Sequence, residues 1–583
     1  MGVHSPISGH TRIGIWSWLK PSGLWVRLPL SRLVVLKGFA AHSNKLKVSR
    51  NQNFYDPFGG EFKIHTANHK ADSKSESHLL NLVFLKEEMN MSNFANSFRN
   101  QINRTKTENG ADVYSSTGDA VLDLFARIGG MRNASEAELN RMYLDARNSD
   151  KELADNMILY ARDIRNGGIG ERKIARTLLK TLALRDPAKV GRNFDTIVTA
   201  GRWDDLFVLM GTSLETQALD FMKEQFRKDI TSMKAKQNVS LLAKWLPSAN
   251  TSSNETRRLA RKVYTYFGIT ERTYRKTLSA LRKYLDVVEK KMSANEFGLI
   301  DYSAVPSVAM TRYRSAFGRH DFERFDKFLN AVEKGETKIN AATSYPYDLI
   351  MPYIRVPRYS WRPSVTAVDR TLEAQWKALP NYVEGNHDVI VMADVSGSME
   401  YDNYKPMATS VSLGIYFAER NKGDYQNLML TFTDVPRMLE LNPNATVASR
   451  VDEVMKHVGY NTNLDGAFKA IFETAVRAGS APAALVVISD GEIDKFYRDP
   501  RLANDIVEKW RIEYARVGLV APKLIMWNVE SRGSRFVGKS TNPFVSYVSG
   551  SSASTFKELT TLINEDAVTA MKKILSRPAF QWK

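Results

Sequence analysis

Polar side chains suited to metal chemistry follow two apolar runs in the last third of the chain. Asp394, Ser396 and Ser398 come directly after the run 389–393. Asp490 comes directly after the second run, 484–489. Apolar runs of this length are typical of buried parallel strands, and open α/β sheets bind ligands at the carboxyl ends of such strands. Carboxylate, hydroxyl and water oxygens are the ligands that Mg²⁺ prefers. The sequence therefore predicts a site for Mg²⁺ or Mn²⁺ at this edge of a sheet.

The hydroxyl of Thr462 falls between these two runs, in a loop that leads into a predicted helix. Together the three elements form a D-x-S-x-S … T … D arrangement, which resembles the metal-ion-dependent adhesion site of von Willebrand factor A (vWA) domains. The resemblance implies five metal ligands, which are Asp394, Ser396, Ser398, Thr462 and Asp490. It also implies an open coordination position that a carboxylate from a protein partner would occupy. The alternative is a vWA fold that no longer binds a metal.

Length and composition bound the class of protein. A chain of 583 residues is too long for one core, so we expect two or more domains. The hydrophobic content of 43% and the charged content of 25% are ordinary for a globular protein. The absence of cysteine excludes disulfides and thiolate metal sites and fits a reducing compartment, so we expect a cytoplasmic protein. No apolar run approaches the ~20 residues that cross a bilayer, so we expect no membrane partner.

The positive charge of the chain is concentrated away from the predicted metal site. Residues 91–382 hold 47 Lys and Arg against 34 Asp and Glu, whereas residues 383–583 hold 23 against 24. A basic excess confined to one region is typical of proteins that bind a polyanion such as RNA. The alternative is a surface charge that only keeps the protein soluble.

Residues 1–90 differ from the rest of the chain. They contain no acidic residue before Asp56 and show no persistent period. Such a basic, acid-free start is typical of organellar transit peptides. The interpretation that we favour is a segment that is not natively translated, because the Lys-Glu-Glu at 86–88 can be encoded by a tract resembling a ribosome-binding site. The native start would then be Met89 or Met91 in a bacterial, phage or other viral gene, and residues 1–90 would be disordered or absent.

Residues 117–345 are predicted to be almost wholly helical. Apolar residues recur at three- and four-residue spacing in the segments 137–147, 153–165, 172–183, 204–209, 220–234 and 272–291. Short stretches with Gly, Asn, Asp and Pro separate them. Many helices joined by short loops favour an α-solenoid of stacked helical pairs, although no strict repeat period is present.

Five stretches of this region together resemble the TROVE module of Ro-type RNA-binding proteins. They are the Gly-rich stretch 162–172 (RDIRNGGIGER), residues 201–206 (GRWDDL), residues 281–285 (LRKYL), residues 300–307 (IDYSAVPS) and residues 328–345. With the vWA-like part, the order most resembles plant and viral proteins that join TROVE-like helices to a vWA domain. The start of the helix near Glu171 could bind a phosphate, or the turn could simply form a tight corner between two helices.

The resemblance implies the architecture. It is an α plus α/β protein, with a HEAT-like helical solenoid closed into a ring and a C-terminal, Rossmann-like vWA domain that bridges the ring. We expect the helical domain at 91–380 and the vWA domain at 381–583. Ro-type proteins hold single-stranded RNA ends in a basic central hole and structured small RNAs on the outer surface, and we expect a monomer.

Two basic helix faces are the predicted RNA contacts. The spacing Ser252-Ser-Asn-Glu255 is that of a capping box and predicts a helix start. Cations recur at helical spacing on that helix and on the next, and Tyr264, Tyr266 and Tyr274 lie among them for stacking. The predicted RNA-binding residues are Arg257, Arg258, Arg261, Lys262, Arg272, Arg275, Lys276 and Lys283. The alternative is a solvated face of a helical repeat.

These features predict an RNA-binding scaffold that holds single-stranded, misfolded or structured small RNA and carries a magnesium-dependent vWA ligand site. The alternative function is a metal-dependent protein-interaction adaptor without an RNA function. We do not expect an enzyme, because hydrolysis through bound metal ions usually needs more carboxylates than this site offers. The sequence also lacks the HExxH motif and a nucleophile elbow.

Overall fold

The computed structural model describes residues 102–355, 364–365, 368–494 and 506–583. All of these residues belong to one unit of the chain, Asn93–Lys583. The expectations for residues 1–90 and for the native start lie outside the described residues. Within the described ranges, no helix is long and apolar enough to cross a membrane.

Helices dominate the described chain up to residue 377, as the sequence predicts. Successive helices pack against one another, and most of their apolar faces join one extended core. A second, smaller core forms around residues 288–339. The helices are α1 (Ala120–Ile128), α2 (Glu136–Ser149), α3 (Lys151–Arg162), α4 (Arg172–Arg185), α5 (Pro187–Arg192), α6 (Phe194–Ala200), α7 (Glu215–Lys234), α8 (Leu242–Trp245), α9 (Asn254–Phe267), α10 (Glu271–Tyr284), α11 (Val288–Ser293), α12 (Ser307–His320), α13 (Phe322–Glu333), α14 (Pro346–Ile350) and α15 (Arg370–Lys377). Their closure into a HEAT-like ring stays a prediction.

Local chemistry sets the boundaries of these helices. The predicted start of α9 at residue 252 is one residue early, because Ser253 is the cap and accepts a hydrogen bond from the Thr256 N–H at 3.2 Å. The segment 272–291 was predicted as one helix, but it breaks into α10 and α11 at Asp286, whose φ is +50°. The segment Trp203–Leu209 forms a 3₁₀ helix instead of an α-helix.

The described residues from 389 onward form a mixed six-stranded sheet with helices, which agrees with the predicted α/β class. The strand order is β10-β9-β8-β5-β6-β7; all neighbours are parallel except β6 and β7. The central strands β5 and β8 are buried except for the half-buried Ile390, which explains their continuous apolar sequence. The strands of this sheet are β5 (Val389–Asp394), β6 (Leu428–Phe432), β7 (Arg437–Glu440), β8 (Ala484–Ser489), β9 (Lys523–Asn528) and β10 (Val545–Ser549). Its helices are α16 (Tyr401–Arg420), α17 (Val447–Met455), α18 (Leu464–Ala478), α19 (Ile506–Arg516), α20 (Leu559–Asn564) and α21 (Ala567–Leu575).

Two short hairpins complete the described strands: β1 (Arg104–Lys106) pairs with β2 (Asp112–Tyr114), and β3 (Ile354–Arg355) pairs with β4 (Ser364–Val365). The first hairpin is joined to the α/β part, because Tyr114 and Phe536 exchange two backbone hydrogen bonds.

The first α-helix of the described residues packs directly on the edge of the sheet. Helix α1 contacts β10, and a Cβ at Gly129 would lie 2.2 Å from the backbone N of Gly550, so only glycine permits this approach. The Gly129 N–H donates to Ser549 Oγ at 2.9 Å. The early helical region and the sheet are therefore packed against each other. The domain boundary expected near residue 380 stays a prediction.

Candidate metal centre and nucleic-acid interface

The ends of β5 and β8 bring the two predicted carboxylates together. The strands are parallel neighbours, with Ala393 paired to Ile488, so Asp394 and Asp490 emerge at the same edge. Asp394 is fully buried; it accepts hydrogen bonds from the Ser396 N–H at 2.9 Å and from Ser489 Oγ at 2.5 Å. Asp490 is 3% exposed, which leaves two carboxylates in a region almost free of water.

The predicted hydroxyls lie at the same edge, with one difference. Ser396 Oγ and Ser398 Oγ are 3.1 Å apart, and Ser398 hydrogen-bonds to Asp490. Thr462 is buried beside them, but its hydroxyl donates to the backbone carbonyl of Glu492. The structure therefore brings Asp394, Ser396, Ser398 and Asp490 together and places Thr462 on the adjoining loop, with its hydroxyl bonded elsewhere.

The carboxylate pair lacks sufficient positive charge around it. Burial raises the pKa of the Asp394 carboxyl, and the nearby charge of Asp490 raises it further. Burial also raises the pKa of Asp490, against the opposing effect of the Arg532 guanidinium. Asp490 Oδ2 is buried and accepts no hydrogen bond, while Arg532 Nη2 lies 3.7 Å away. An orphaned carboxylate oxygen beside a second buried carboxylate fits a hard divalent cation.

Hydroxyl oxygens would have to complete the coordination of that cation. No group of three or more His, Cys, Asp or Glu side chains suited to a metal occurs in the described ranges. Two carboxylates with serine hydroxyls would suit Mg²⁺ or Mn²⁺, which accept such oxygens, better than Zn²⁺, which favours nitrogen and sulfur.

Further charged residues lie around the predicted ligands, and the sequence pattern did not identify them. Arg532 donates to the backbone carbonyl of Ser398, and Arg535 forms an ion pair with Glu492. Glu492 also accepts a hydrogen bond from the Glu108 N–H at 2.7 Å. Glu492 follows Asp490 by two residues and could have been noticed from that spacing. The arginines lie on a loop without a period, and Glu108 is distant in sequence.

The predicted basic residues of α9 and α10 are all exposed, but they do not form one surface. A groove of about 720 Å³ lies between α10 and residues 248–251. Three predicted residues line it, together with two cations that the sequence analysis did not select. All five charged residues of this basic groove are cations, namely Arg272, Arg275, Lys276, Arg282 and Lys290.

The other predicted cations lie outside the basic groove. Lys262 forms an ion pair with Glu215 at 2.7 Å, and Arg257 donates to the Thr251 carbonyl at 2.8 Å. The remaining three are exposed and do not line the groove; they are Arg258, Arg261 and Lys283.

The stacking role predicted for Tyr274 is wrong. Its ring is fully buried, 5.8 Å from the ring of Tyr264, and its hydroxyl donates to the Pro247 carbonyl at 2.8 Å. Tyr264 and Tyr266 are half-buried. Tyr274 precedes the buried Leu278 by four residues, so helical spacing itself places it on the apolar face of α10.

Arg282 forms the inner wall of the basic groove. Its guanidinium donates to the carbonyls of Ala243 and Leu246 at 2.8 and 2.7 Å and to Ser248 Oγ at 2.9 Å. Burial lowers the pKa of the Arg282 guanidinium, against a smaller opposing effect of Tyr274. The groove therefore has a hydrogen-bonded cation in its inner wall and exposed cations at its rim.

The Gly-rich turn before α4 forms a packed corner. Glu171 accepts a hydrogen bond from Arg132 Nε at 2.7 Å, and the Ile169 carbonyl accepts one from the Tyr345 hydroxyl at 3.0 Å. Ile169 also lies against Gly550 of the α/β part. These contacts favour the structural interpretation of the turn over the phosphate site.

Two family models match the chain. One, described as a domain of unknown function (DUF2828), matches residues 251–386. The other, also described as a domain of unknown function (DUF7788), matches residues 388–574. An uncharacterized protein (L728) of Acanthamoeba polyphaga mimivirus is 27% identical over 480 residues, which cover 74% of this chain and 80% of the relative.

Two solved structures are similar at low scores. The Ro (RSR) protein of Deinococcus radiodurans matches with a TM-score of 0.37 and 15% identity, over 78% of this chain and 93% of that one. Proximal thread matrix protein 1 from the mussel byssus matches with a TM-score of 0.22 and 12% identity, over 30% of this chain and 47% of that one. Scores this low do not establish a common fold, so neither likeness supports a functional assignment.

Proposed function

We propose that this protein is a non-enzymatic scaffold that binds single-stranded RNA in the basic groove and a divalent cation at the sheet edge. The helical part would be a HEAT-like ring, the α/β part a vWA domain, and the cation Mg²⁺ or Mn²⁺. A protein partner would supply a carboxylate to the metal. The proposal treats the two parts as separate binding sites on one monomeric, cytoplasmic protein.

One observation carries the RNA proposal: the basic groove has five cationic side chains and no acidic side chain in its lining. Surface cations are usually interspersed with carboxylates that compensate them. A groove of one sign concentrates the positive potential and favours a polyanion. A flexible single strand can follow such a groove along its phosphates, and the cations would replace its counterions.

The test compares two triple charge reversals that are matched in composition. The groove variant is Arg272→Glu, Arg275→Glu and Lys276→Glu. The control variant is Arg258→Glu, Arg261→Glu and Lys283→Glu, which are exposed positions outside the groove. Each variant replaces two arginines and one lysine, so both change the net charge equally.

Fluorescence anisotropy with a labelled single-stranded RNA, over a range of salt concentrations, gives the result. Each phosphate contact contributes roughly 0.7 to the slope of log K against log salt, so the groove variant should flatten this slope by about 2 units. The control variant should change it by much less. Equal losses in both variants would show only a diffuse electrostatic attraction and would overturn the groove assignment.

A second candidate function, the metal-dependent adaptor without RNA binding, rests on the orphaned Asp490 Oδ2. It predicts that a cation binds at the sheet edge, while the unmutated protein already binds RNA as poorly as the groove variant and the control variant do. Mn²⁺ binding measured by electron paramagnetic resonance, in parallel with the RNA titration, separates the two candidates.

A further inference from the structure

A second cavity, of about 570 Å³, shares no lining residue with the basic groove and lies between α8, α11, α12 and the start of α4. Cations stand around it and apolar side chains form part of its wall. Leu241 and Val308 are 49% and 44% exposed, so the wall presents apolar surface that a ligand could cover. Its lining includes Arg172, Arg202, Lys244, Trp245, Glu289 and Arg312.

The cations of the second cavity are only partly compensated. Arg202 forms an ion pair with Asp204 at 2.8 Å and stacks over the Trp245 ring at 3.8 Å. Within the described part of the chain, Arg172, Lys244 and Arg312 form no ion pair. Burial lowers the pKa of Arg172, and the neighbouring guanidinium of Arg202 lowers it further. Cations crowded in this way favour an anion between them.

The acidic side chains of the cavity differ in whether they have a carboxylate oxygen without a hydrogen-bond partner. Asp286 pairs with Lys291 at 2.8 Å, and Asp301 accepts hydrogen bonds from the N–H and hydroxyl of Ser303. Glu289 accepts a hydrogen bond from the Tyr313 hydroxyl at 3.3 Å through one oxygen, but its Oε2 is buried without a partner. The cavity thus offers an unused acceptor besides its unpaired cations.

We propose that this cavity binds one nucleotide unit. The phosphate meets the unpaired cations, the base lies against the apolar and aromatic wall that includes Trp245, and Glu289 Oε2 accepts an N–H from the edge of the base. An anion without a base, such as inorganic phosphate, would leave the apolar wall uncovered. It would also be repelled by the Glu289 carboxylate instead of donating a hydrogen bond to it. The volume suits one nucleotide, because ligand cavities of this kind span about 300–1,000 Å³.

The nucleotide could be free or could be one residue of an RNA strand, and the second source rests on the proposed function. The probe is AMP, titrated into the full chain by calorimetry, with inorganic phosphate as the comparison ligand. The test variant is Arg172→Gln with Arg312→Gln. Its matched control is Arg185→Gln with Arg319→Gln, because these exposed arginines lie on the same two helices, α4 and α12, away from the cavity.

AMP should bind more tightly than phosphate, and the test variant should weaken AMP binding about tenfold or more, as expected for lost charge-assisted hydrogen bonds. The control should stay within about twofold of the parent, a change of under about half a kcal/mol by affinity arithmetic. Trp245→Leu should weaken AMP binding and leave phosphate binding unchanged. No AMP binding, equal binding of AMP and phosphate, or equal losses in the test and control variants would overturn the proposal.

A short oligoadenylate distinguishes the two sources. If it displaces AMP and loses affinity in the Arg172→Gln, Arg312→Gln variant, the cavity takes a residue of a strand. If it does not displace AMP, the cavity takes the free nucleotide. The groove variant Arg272→Glu, Arg275→Glu, Lys276→Glu should leave AMP binding unchanged, so failure of the groove assignment and failure of this proposal give different results.

Discussion

The basic groove and the sheet edge each bring together charged side chains of one sign, but the two regions differ in how far those side chains are exposed to solvent. The groove cations at the rim are exposed and remain hydrated, whereas Asp394 and Asp490 are buried. Hydrated charge costs little, so an exposed basic surface persists whether or not it has a ligand. Buried like charge costs several kcal/mol per ion unless something compensates it. Burial therefore makes the sheet edge the stronger indication of a ligand, although the groove holds more charged residues.

The largest expected effect comes from neutralising the sheet edge. Asp394→Asn should stabilise the metal-free protein at about pH 8 by on the order of 1–3 kcal/mol, because it removes one of two repelling buried charges. The same variant should lose the stabilisation that saturating Mg²⁺ gives the parent, which is about 2.7 kcal/mol at one hundred times Kd. Thermal unfolding with and without Mg²⁺ measures both effects.

Asp424→Asn is the control for this variant, because Asp424 is exposed. It should behave as the parent does in both buffers. If Asp394→Asn and the parent gain equally from Mg²⁺, the sheet edge does not hold the ion.

Among the groove cations, Arg282 most resembles the sheet-edge carboxylates in being fixed by protein contacts, because its guanidinium donates to backbone carbonyls. Arg282→Gln should destabilise the protein by about 1–3 kcal/mol, since several acceptors lose their donor. Lys283→Gln, at the exposed next position, should change stability by less than about 0.5 kcal/mol. Urea denaturation of both variants checks this, and equal effects would mean that the hydrogen bonds of Arg282 do not hold the groove wall.

The pH dependence of the sheet edge should have a definite sign. Because burial raises the carboxyl pKa values in the folded state, that state binds more protons than the unfolded state between the two sets of pKa values. Metal-free stability should therefore fall as pH rises through this window, by about 1 kcal/mol or more. Mg²⁺ binds the ionised pair, so its stabilising effect should grow from about pH 5 to pH 8. Thermal unfolding at about pH 5 and pH 8, with and without Mg²⁺, measures this. A stabilisation by Mg²⁺ of the same size at both pH values would contradict the prediction.

The smallest expected effect comes from neutralising the rim of the groove. Arg272→Gln, Arg275→Gln and Lys276→Gln together should change stability by less than about 0.5 kcal/mol, because the only ion pair that the described residues show for them is the exposed Arg275–Glu271 contact at 3.8 Å. Urea denaturation measures it. A loss of several kcal/mol would mean that these cations serve the fold and would remove the contrast between the two regions.

The sheet edge was largely predictable because its signal is local. Each strand is a continuous apolar run, and parallel strands place their ends together, so Asp394 and Asp490 had to meet. The hydrogen bond of the Thr462 hydroxyl was harder to predict, because the conformation of a loop determines which carbonyl accepts it. Arg532 could not be predicted, because it reaches the site from a loop without periodic sequence.

The helical region was predictable in its elements but less so in its surfaces. Apolar spacing identified α2, α3 and α4 to within a few residues. The break at Asp286 could not be predicted, because a left-handed aspartate leaves no sequence signal comparable to glycine or proline. The groove joins α10 to residues 248–251 and α11, so no single helix pattern could identify Lys290 as part of its lining.

The central claim is that single-stranded RNA lies in the basic groove. Ultraviolet crosslinking of the full chain to a single-stranded RNA, followed by mass spectrometry of the crosslinked peptides, tests it most directly. The proposed function predicts crosslinks in peptides from residues 248–251 and from α10 and α11, and predicts that high salt removes them. Crosslinks confined to residues 383–583, with none in the groove peptides, would contradict it.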